Sequence, residues 1–159
     1  MILYHGADKK IKNPSIPLSE IGREFGIGFY VTEDHSLAQK RAEKKAKQGF
    51  FYDNPVPTVT AFRFDEASVE HLKVKRLNGY QEEWLDFIMQ CYTDIHFVHP
   101  YDIVIGNAIL PEATEILKAY RNSAISKKEV LTKLQGLPEV LQICFSTTTA
   151  LEYLTQTEE

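Results

Sequence analysis

Hydrophobic positions fall along this chain in short runs, separated by polar stretches punctuated with proline and glycine, and the spacing within each run assigns its element. Residues 1–4 form an apolar run that stops at His5-Gly6, which predicts an N-terminal strand. Residues 7–24 are polar, contain Pro14 and Pro17, and read as a long loop. A second strand is expected over 28–32, with Gly26 and Gly28 at its start. Thr32 or Asp34 can then cap a helix to about Lys47, in which Leu37, Ala38, Arg41, Ala42 and Lys45 have helical spacing. Asn54-Pro55 and Pro57 mark a turn, after which 58–64 and, with imperfect alternation, 72–77 read as strands. Trp84, Leu85, Ile88 and Met89 make the apolar stripe of an amphipathic helix over 80–92. The apolar run 101–105, closed by Gly106, predicts a central strand.

The remainder is read in the same way. A helix follows Pro111 to about Arg121, and Ser126-Lys127-Lys128-Glu129 has the form of a capping box that starts another. Gly136 and Pro138 end that helix, 141–146 is a last strand, and 147–154 a closing helix. Short strands broken by helices without regular alternation predict one mixed α+β domain over residues 1–159.

Composition narrows the class further. The chain has 159 residues, is 43% hydrophobic and 25% charged, and carries a net charge of −4, which is ordinary globular composition. No apolar stretch reaches the roughly 18 residues of a membrane span, and the start of the chain lacks the order of a signal peptide, so a soluble, cytoplasmic protein is expected. Cys91 and Cys144 are too few for a disulfide framework or a zinc site of four thiolates. The acidity is uneven, because five of the eight residues between Lys40 and Lys47 are basic. That helix face is either simply solvated or a nucleic-acid-binding surface.

Candidate chemistry is sparse. His96-x-x-His99, beside Cys91 and Asp94, is the nearest approach to a metal pattern, but no third ligand has a convincing spacing, so no metal is expected. Neither cysteine has an activating base nearby in sequence. Phosphate-cradling and dinucleotide glycine motifs are missing; Gly26-Ile27-Gly28 is only a G-x-G. Two segments remain. Leu3-Tyr4-His5-Gly6 sets an imidazole and a glycine at the end of a strand, and Phe25-Gly26-Ile27-Gly28-Phe29-Tyr30-Val31-Thr32 opens a strand with two glycines that let another group approach the backbone. On periodicity alone, His5 is a loop histidine and Tyr30 a core residue.

Those two segments resemble the first two motifs of the ADP-ribosyltransferase fold, in the His–Tyr–Glu/Asp/Gln branch of diphtheria toxin and the poly(ADP-ribose) polymerases. The chain is also similar to a small bacterial family, domain of unknown function 3990. It shares that family's Tyr-His-Gly opening, its Gly-Phe-Tyr-x-Thr strand, a Tyr-Asp-Ile-Val-Ile-Gly strand at 101–106 and a closing Gln-Ile-x-Phe strand at 142–145. The resemblance implies an α+β ADP-ribosyltransferase-like fold, with two small mixed sheets split around a cleft and flanked by helices.

It further implies an NAD-dependent mono-ADP-ribosyltransferase that cleaves the nicotinamide–ribose bond and passes ADP-ribose to an unknown acceptor, whether protein, nucleic acid or small molecule. NAD would be a co-substrate rather than a tightly bound cofactor. Such enzymes include the toxins of toxin–antitoxin and phage-defence pairs, so a cognate antitoxin is a possible partner. By the resemblance, His5 would bond a ribose hydroxyl, the Gly6 backbone would hold the nicotinamide amide beside Gly28, Tyr30 would pack on the nicotinamide ring, and Gln142 would take the third-motif role. Gln142 is neutral, Ile27 replaces a lysine, Arg41 stands where the polymerases place a second stacking tyrosine, and Ala38 replaces a serine. In the helix over 80–92, Gln90-Cys91 replaces an Asn-Arg pair of the bacterial relatives. The alternatives are an inactive NAD-binding module, a nucleic-acid binder using the basic helix, and a metal hydrolase on His96 and His99. If Gln142 fails, Glu24 and Glu139 are the first carboxylates to test.

Overall fold

The computed structural model describes residues 1–17, 23–49 and 54–158. In chain order the described elements are β1 (Ile2–Ala7), β2 (Phe29–Thr32), α1 (His35–Gln48), β3 (Thr58–Arg63), a 3-10 turn (Glu66–Val69), β4 (Val74–Arg76) and α2 (Glu82–Thr93). Then come β5 (Ile103–Asn107), α3 (Pro111–Arg121), α4 (Lys127–Leu134), β6 (Leu141–Phe145), α5 (Thr148–Leu151) and β7 (Thr155–Thr157). The strands form one mixed sheet in the order β4-β5-β6-β2-β1-β3-β7. Among the described pairs, β4 and β5 run parallel and the others antiparallel. No helix of the described residues is long and apolar enough to cross a membrane.

Local chemistry explains where the helices begin. The Asp34 side chain accepts from the Leu37 amide at 3.1 Å and caps α1, while Thr32 donates back to the Leu141 carbonyl. Ser126 and Glu129 close the expected capping box at the start of α4. Pro111 supplies the first turn of α3. On α2, Trp84, Leu85, Ile88 and Cys91 are buried; Met89 packs only at the edge.

Two apolar layers sandwich the sheet. One face packs Leu3, Phe29, Val31, Ile103, Ile143 and Phe145 against Val69 of the 3-10 turn and Leu151 of α5. The opposite face packs Tyr30, Val104 and Cys144 against α2, α3 and α4 through Trp84, Ile88, Leu117 and Leu134. Side chains alternate along β6, with Ile143 and Phe145 on one side and Cys144 on the other. Helix α1 lies against β1 so closely that a Cβ on Gly6 would come within 1.9 Å of the Ala38 carbonyl oxygen and 2.8 Å of the Ala42 nitrogen. Small residues on both partners are what permit this approach.

The resemblance implies two separate sheets; the structure has one continuous sheet that is nearly cut in two. Strands β1 and β2 share a single register pair, Tyr4 with Thr32, whereas β1 and β3 share six. Continuing that first register would set Gly6 opposite Tyr30. Instead the Tyr30 carbonyl accepts a bond from the His5 ring at 2.6 Å, and the strands part.

Other expectations shift at the edges. β1 runs through His5 and Gly6 to Ala7, because pairing with β3 continues past the apolar run. The closing helix is a single turn, and the chain then adds β7, whose Thr-Gln-Thr pairs with β3 at the sheet edge without any apolar alternation to announce it. The 3-10 turn, capped by Asp65, is a further element that apolar spacing does not predict.

Candidate functional site

Where β1 and β2 part, a cavity of about 840 Å³ opens, within the range usual for small-molecule sites. His5, Gly6, Gly28 and Tyr30 all line it, so four of the five residues singled out from the sequence come together. Helix α1 supplies one wall, α2 and α3 reach in through Tyr92 and Thr114, and the loop after β1 covers the His5 side.

His5 is packed against the Phe29 ring, with centroids 4.1 Å apart and planes 20° from parallel. Its Nδ1 lies 2.6 Å from the Tyr30 carbonyl oxygen, which can only accept, so Nδ1 carries the proton. Burial, with the positive charges of Lys45, Arg41 and Arg23 adding to it, holds the imidazole down at about 4 from an ordinary 6.5. The ring is neutral at physiological pH, and its Nε2 is left as a hydrogen-bond acceptor.

Tyr30 is fixed at its hydroxyl, which donates to the Gly26 carbonyl and accepts from the Phe25 amide at 3.0 Å. Burial raises its pKa well above the ordinary value, so it does not ionise. The Arg23 guanidinium lies over its ring, 4.0 Å from the centroid. Gly26 makes this turn possible by adopting a φ of +83°, and a Cβ on Gly28 would meet the Cys144 sulfur at 2.3 Å. Both motif glycines beside the cavity, Gly6 and Gly28, are thus required by packing before any ligand is considered.

Gln142 sits differently. It shares a sheet face with Tyr30 and Cys144, as alternation predicts, but it is fully buried and does not line the cavity. Its Nε2 donates to Glu24 Oε1 at 2.9 Å, and its Oε1 accepts from Arg41 at 2.5 Å. Glu24 and Arg41 do line the cavity and stand between Gln142 and the open space. The Gln142 side chain therefore does not open onto the cleft, because those two charged groups occupy both of its polar ends. Glu139 lies outside the cavity wall, bonded to Asn107.

Charge is what the sequence understated. Among the described residues, Lys9, Arg23, Arg41, Lys44 and Lys45 line the cavity against a single carboxylate, Glu24, although the whole chain is net negative. Three of those cations come from the basic run of α1, which from composition reads first as a solvated face. The signal was the register: Arg41, Lys44 and Lys45 follow the turn that packs Ala38 and Ala42 on Gly6.

The rival metal site is dismantled by the geometry of its own residues. His99 is buried, with Nε2 2.8 Å from the Phe25 carbonyl and Nδ1 accepting from the Tyr101 amide at 3.1 Å, so both nitrogens are taken. His96 is exposed, and among the described residues no group of three or more His, Cys, Asp or Glu could hold a metal ion. Cys91 and Cys144 are both buried, and burial pushes each thiol up to about 12, far from a reactive thiolate.

No curated protein and no solved structure matches the chain. The family model described as protein of unknown function (DUF3990) matches residues 1–156, and the chain belongs to that family.

Proposed function

We propose that this protein is an NAD-dependent mono-ADP-ribosyltransferase whose site is the cavity between β1 and β2. The observation that carries the reading is the meeting, in one cavity, of His5 and Tyr30 with five cationic side chains. A dinucleotide presents two kinds of feature, a diphosphate and polar rings, and the cavity answers both. Lys9, Lys44 and Lys45 offer positive charge to phosphate oxygens. The neutral His5 offers Nε2 as an acceptor for a ribose hydroxyl, with its tautomer locked by the Tyr30 carbonyl.

The Tyr30 ring supports the same reading. Its face already holds a flat cation, the Arg23 guanidinium. A nicotinamide ring in oxidised NAD is also a flat cation, and it suits an aromatic face for the same electrostatic reason. The reaction breaks the bond between ribose C1′ and the nicotinamide nitrogen. The electron pair leaves with nicotinamide, and positive charge spreads over C1′ and the ring oxygen until a nucleophile bonds to C1′. Fixed dipoles and charges around that cation lower the barrier.

The test is nicotinamide release from NAD by the purified protein, followed by transfer of label from NAD to cell extract. Release in the wild type and its loss in His5→Ala are expected, and the labelled fraction identifies the acceptor class. NAD affinity should also fall as salt rises, through the lysines. Binding without release would identify a non-catalytic NAD-binding module. No interaction with NAD, together with steeply salt-dependent binding to DNA or RNA, would transfer the role to the basic helix.

A further inference from the structure

We propose that Glu24 is the catalytic carboxylate of this site and that Gln142 is its positioning residue, an inference that rests on the reading just given. Among the described residues that line the cavity Glu24 is the one carboxylate, and at 7% exposure it is nearly shielded from water. A carboxylate beside the developing positive charge is what departure from an anomeric carbon calls for. The neutral Gln142 cannot supply that charge, and both ends of its amide are already engaged.

The contacts of the two carboxylate oxygens are unequal, and this inequality gives the device its logic. Oε1 is held by Gln142 at 2.9 Å, with Arg41 at 4.0 Å. Oε2 faces Arg23, 3.6 Å from its Nε. The same Arg23 covers the Tyr30 ring. A planar cationic group that enters over Tyr30 takes the place of the guanidinium, and the ion pair to Oε2 is released in that same step. Seating the nicotinamide therefore turns a carboxylate oxygen toward the site, while Gln142 and Arg41 keep the other oxygen in place.

The chemistry balances without a further reactant. The C1′–N bond breaks and its electron pair goes to the nicotinamide nitrogen, leaving neutral nicotinamide. Glu24 stands as counter-charge to the cation on C1′. Water, or the acceptor, then forms the new bond to C1′ and gives its proton to solvent.

Glu24→Gln keeps the shape and the bond to Gln142 while removing the charge. Nicotinamide release at saturating NAD should fall about 100-fold, with KM for NAD and the melting temperature little changed, as expected for a group that acts on the transition state. Gln142→Ala should lower kcat about tenfold, again with KM held, because it loosens the carboxylate rather than the ground-state complex. Should Glu24→Gln fail to fold, Glu24→Asp retains the charge but retracts it by one methylene, and its kcat should fall about tenfold at constant KM. A wild type that releases nicotinamide beside a folded Glu24→Gln variant within about threefold of it, or an aspartate variant with unchanged kcat, overturns the role of Glu24 and leaves the proposed activity standing. A wild type that releases no nicotinamide overturns both.

Discussion

Two histidines, at opposite sides of the same turn, differ in what their rings leave available. His99 and His5 are each neutralised by burial and each bonded to a backbone carbonyl, of Phe25 and Tyr30 respectively. The difference is the second ring nitrogen. That of His99 is taken by the Tyr101 amide, and the ring is enclosed by Phe87 and Tyr101 with centroids 5.6 and 5.7 Å away. That of His5 is left to a cavity of about 840 Å³ lined with cations. A histidine with both nitrogens spent on backbone is a brace. One with a nitrogen in reserve, at the point where a sheet parts, is the binding group of the function we propose.

The brace should prove the more costly to remove. His99→Ala strands the Phe25 carbonyl and the Tyr101 amide and empties a ring-sized space, and about 4 kcal/mol of stability should be lost. Urea unfolding measures it directly. If the loss is under about 1 kcal/mol, His99 is not a brace and the contrast with His5 dissolves.

Packing on the cavity side comes next. Gly6→Ala puts a methyl group 1.9 Å from the Ala38 carbonyl oxygen, between two backbones that cannot both yield. A cost of about 3 kcal/mol is expected, at the upper end of overpacking, visible as a lower melting temperature and reduced NAD affinity together. A Gly6→Ala variant with wild-type stability but no NAD binding would instead show that Gly6 is there only for the ligand.

His5→Ala should reverse the pattern seen at His99. Nicotinamide release should drop about 100-fold, equivalent to about 2.7 kcal/mol of transition-state stabilisation, while stability falls by about 1 kcal/mol for one lost bond. The paired measurement is kcat/KM beside the unfolding free energy. Equal losses of stability in the two alanine variants would make both histidines braces.

Much of this arrangement is legible in sequence, and the reasons for the gaps are physical. Apolar spacing placed β1, β2, β5 and β6, and the caps at Asp34 and Ser126 set helix starts, because burial and capping leave local marks. Edge strand β7 left none, because its three polar residues, one exposed and two half-buried, carry no apolar alternation. At the cavity, His5, Gly6 and Tyr30 are marked by the resemblance of their segments to known motifs, since periodicity alone makes His5 a loop histidine and Tyr30 a core residue. The spacing of His96 and His99 is silent on where each ring goes, since i, i+3 spacing describes a chain and not the carbonyl that captures one ring. The contact between Glu24 and Gln142 was hidden for a related reason: it spans 118 residues, a distance no local pattern reaches.

The finest contrast lies in pH. Burial holds His5 near 4 in the folded protein, whereas in the unfolded chain it returns to about 6.5. Between those values the unfolded state binds a proton that the folded state refuses, so the part of the stability owed to His5 falls as pH drops from about 6.5 to about 4 and levels off below. His99 is shifted in the same direction by the same cause, so it adds to the slope. Above about 6.5 neither residue contributes any pH dependence. Melting temperatures of the wild type, His5→Gln and His99→Gln across this window separate the two: each substitution should flatten the acid limb, and together they should remove the part owed to histidine. Activity should behave otherwise, because the acceptor lone pair of His5 persists down to about 4, and its role in nicotinamide release should not vary between about pH 6 and 8. A rate that titrates near neutrality and loses that titration in His5→Gln would mean that the imidazole is exposed enough to protonate, and the distinction between the reserved and the spent nitrogen would then have to rest on geometry alone.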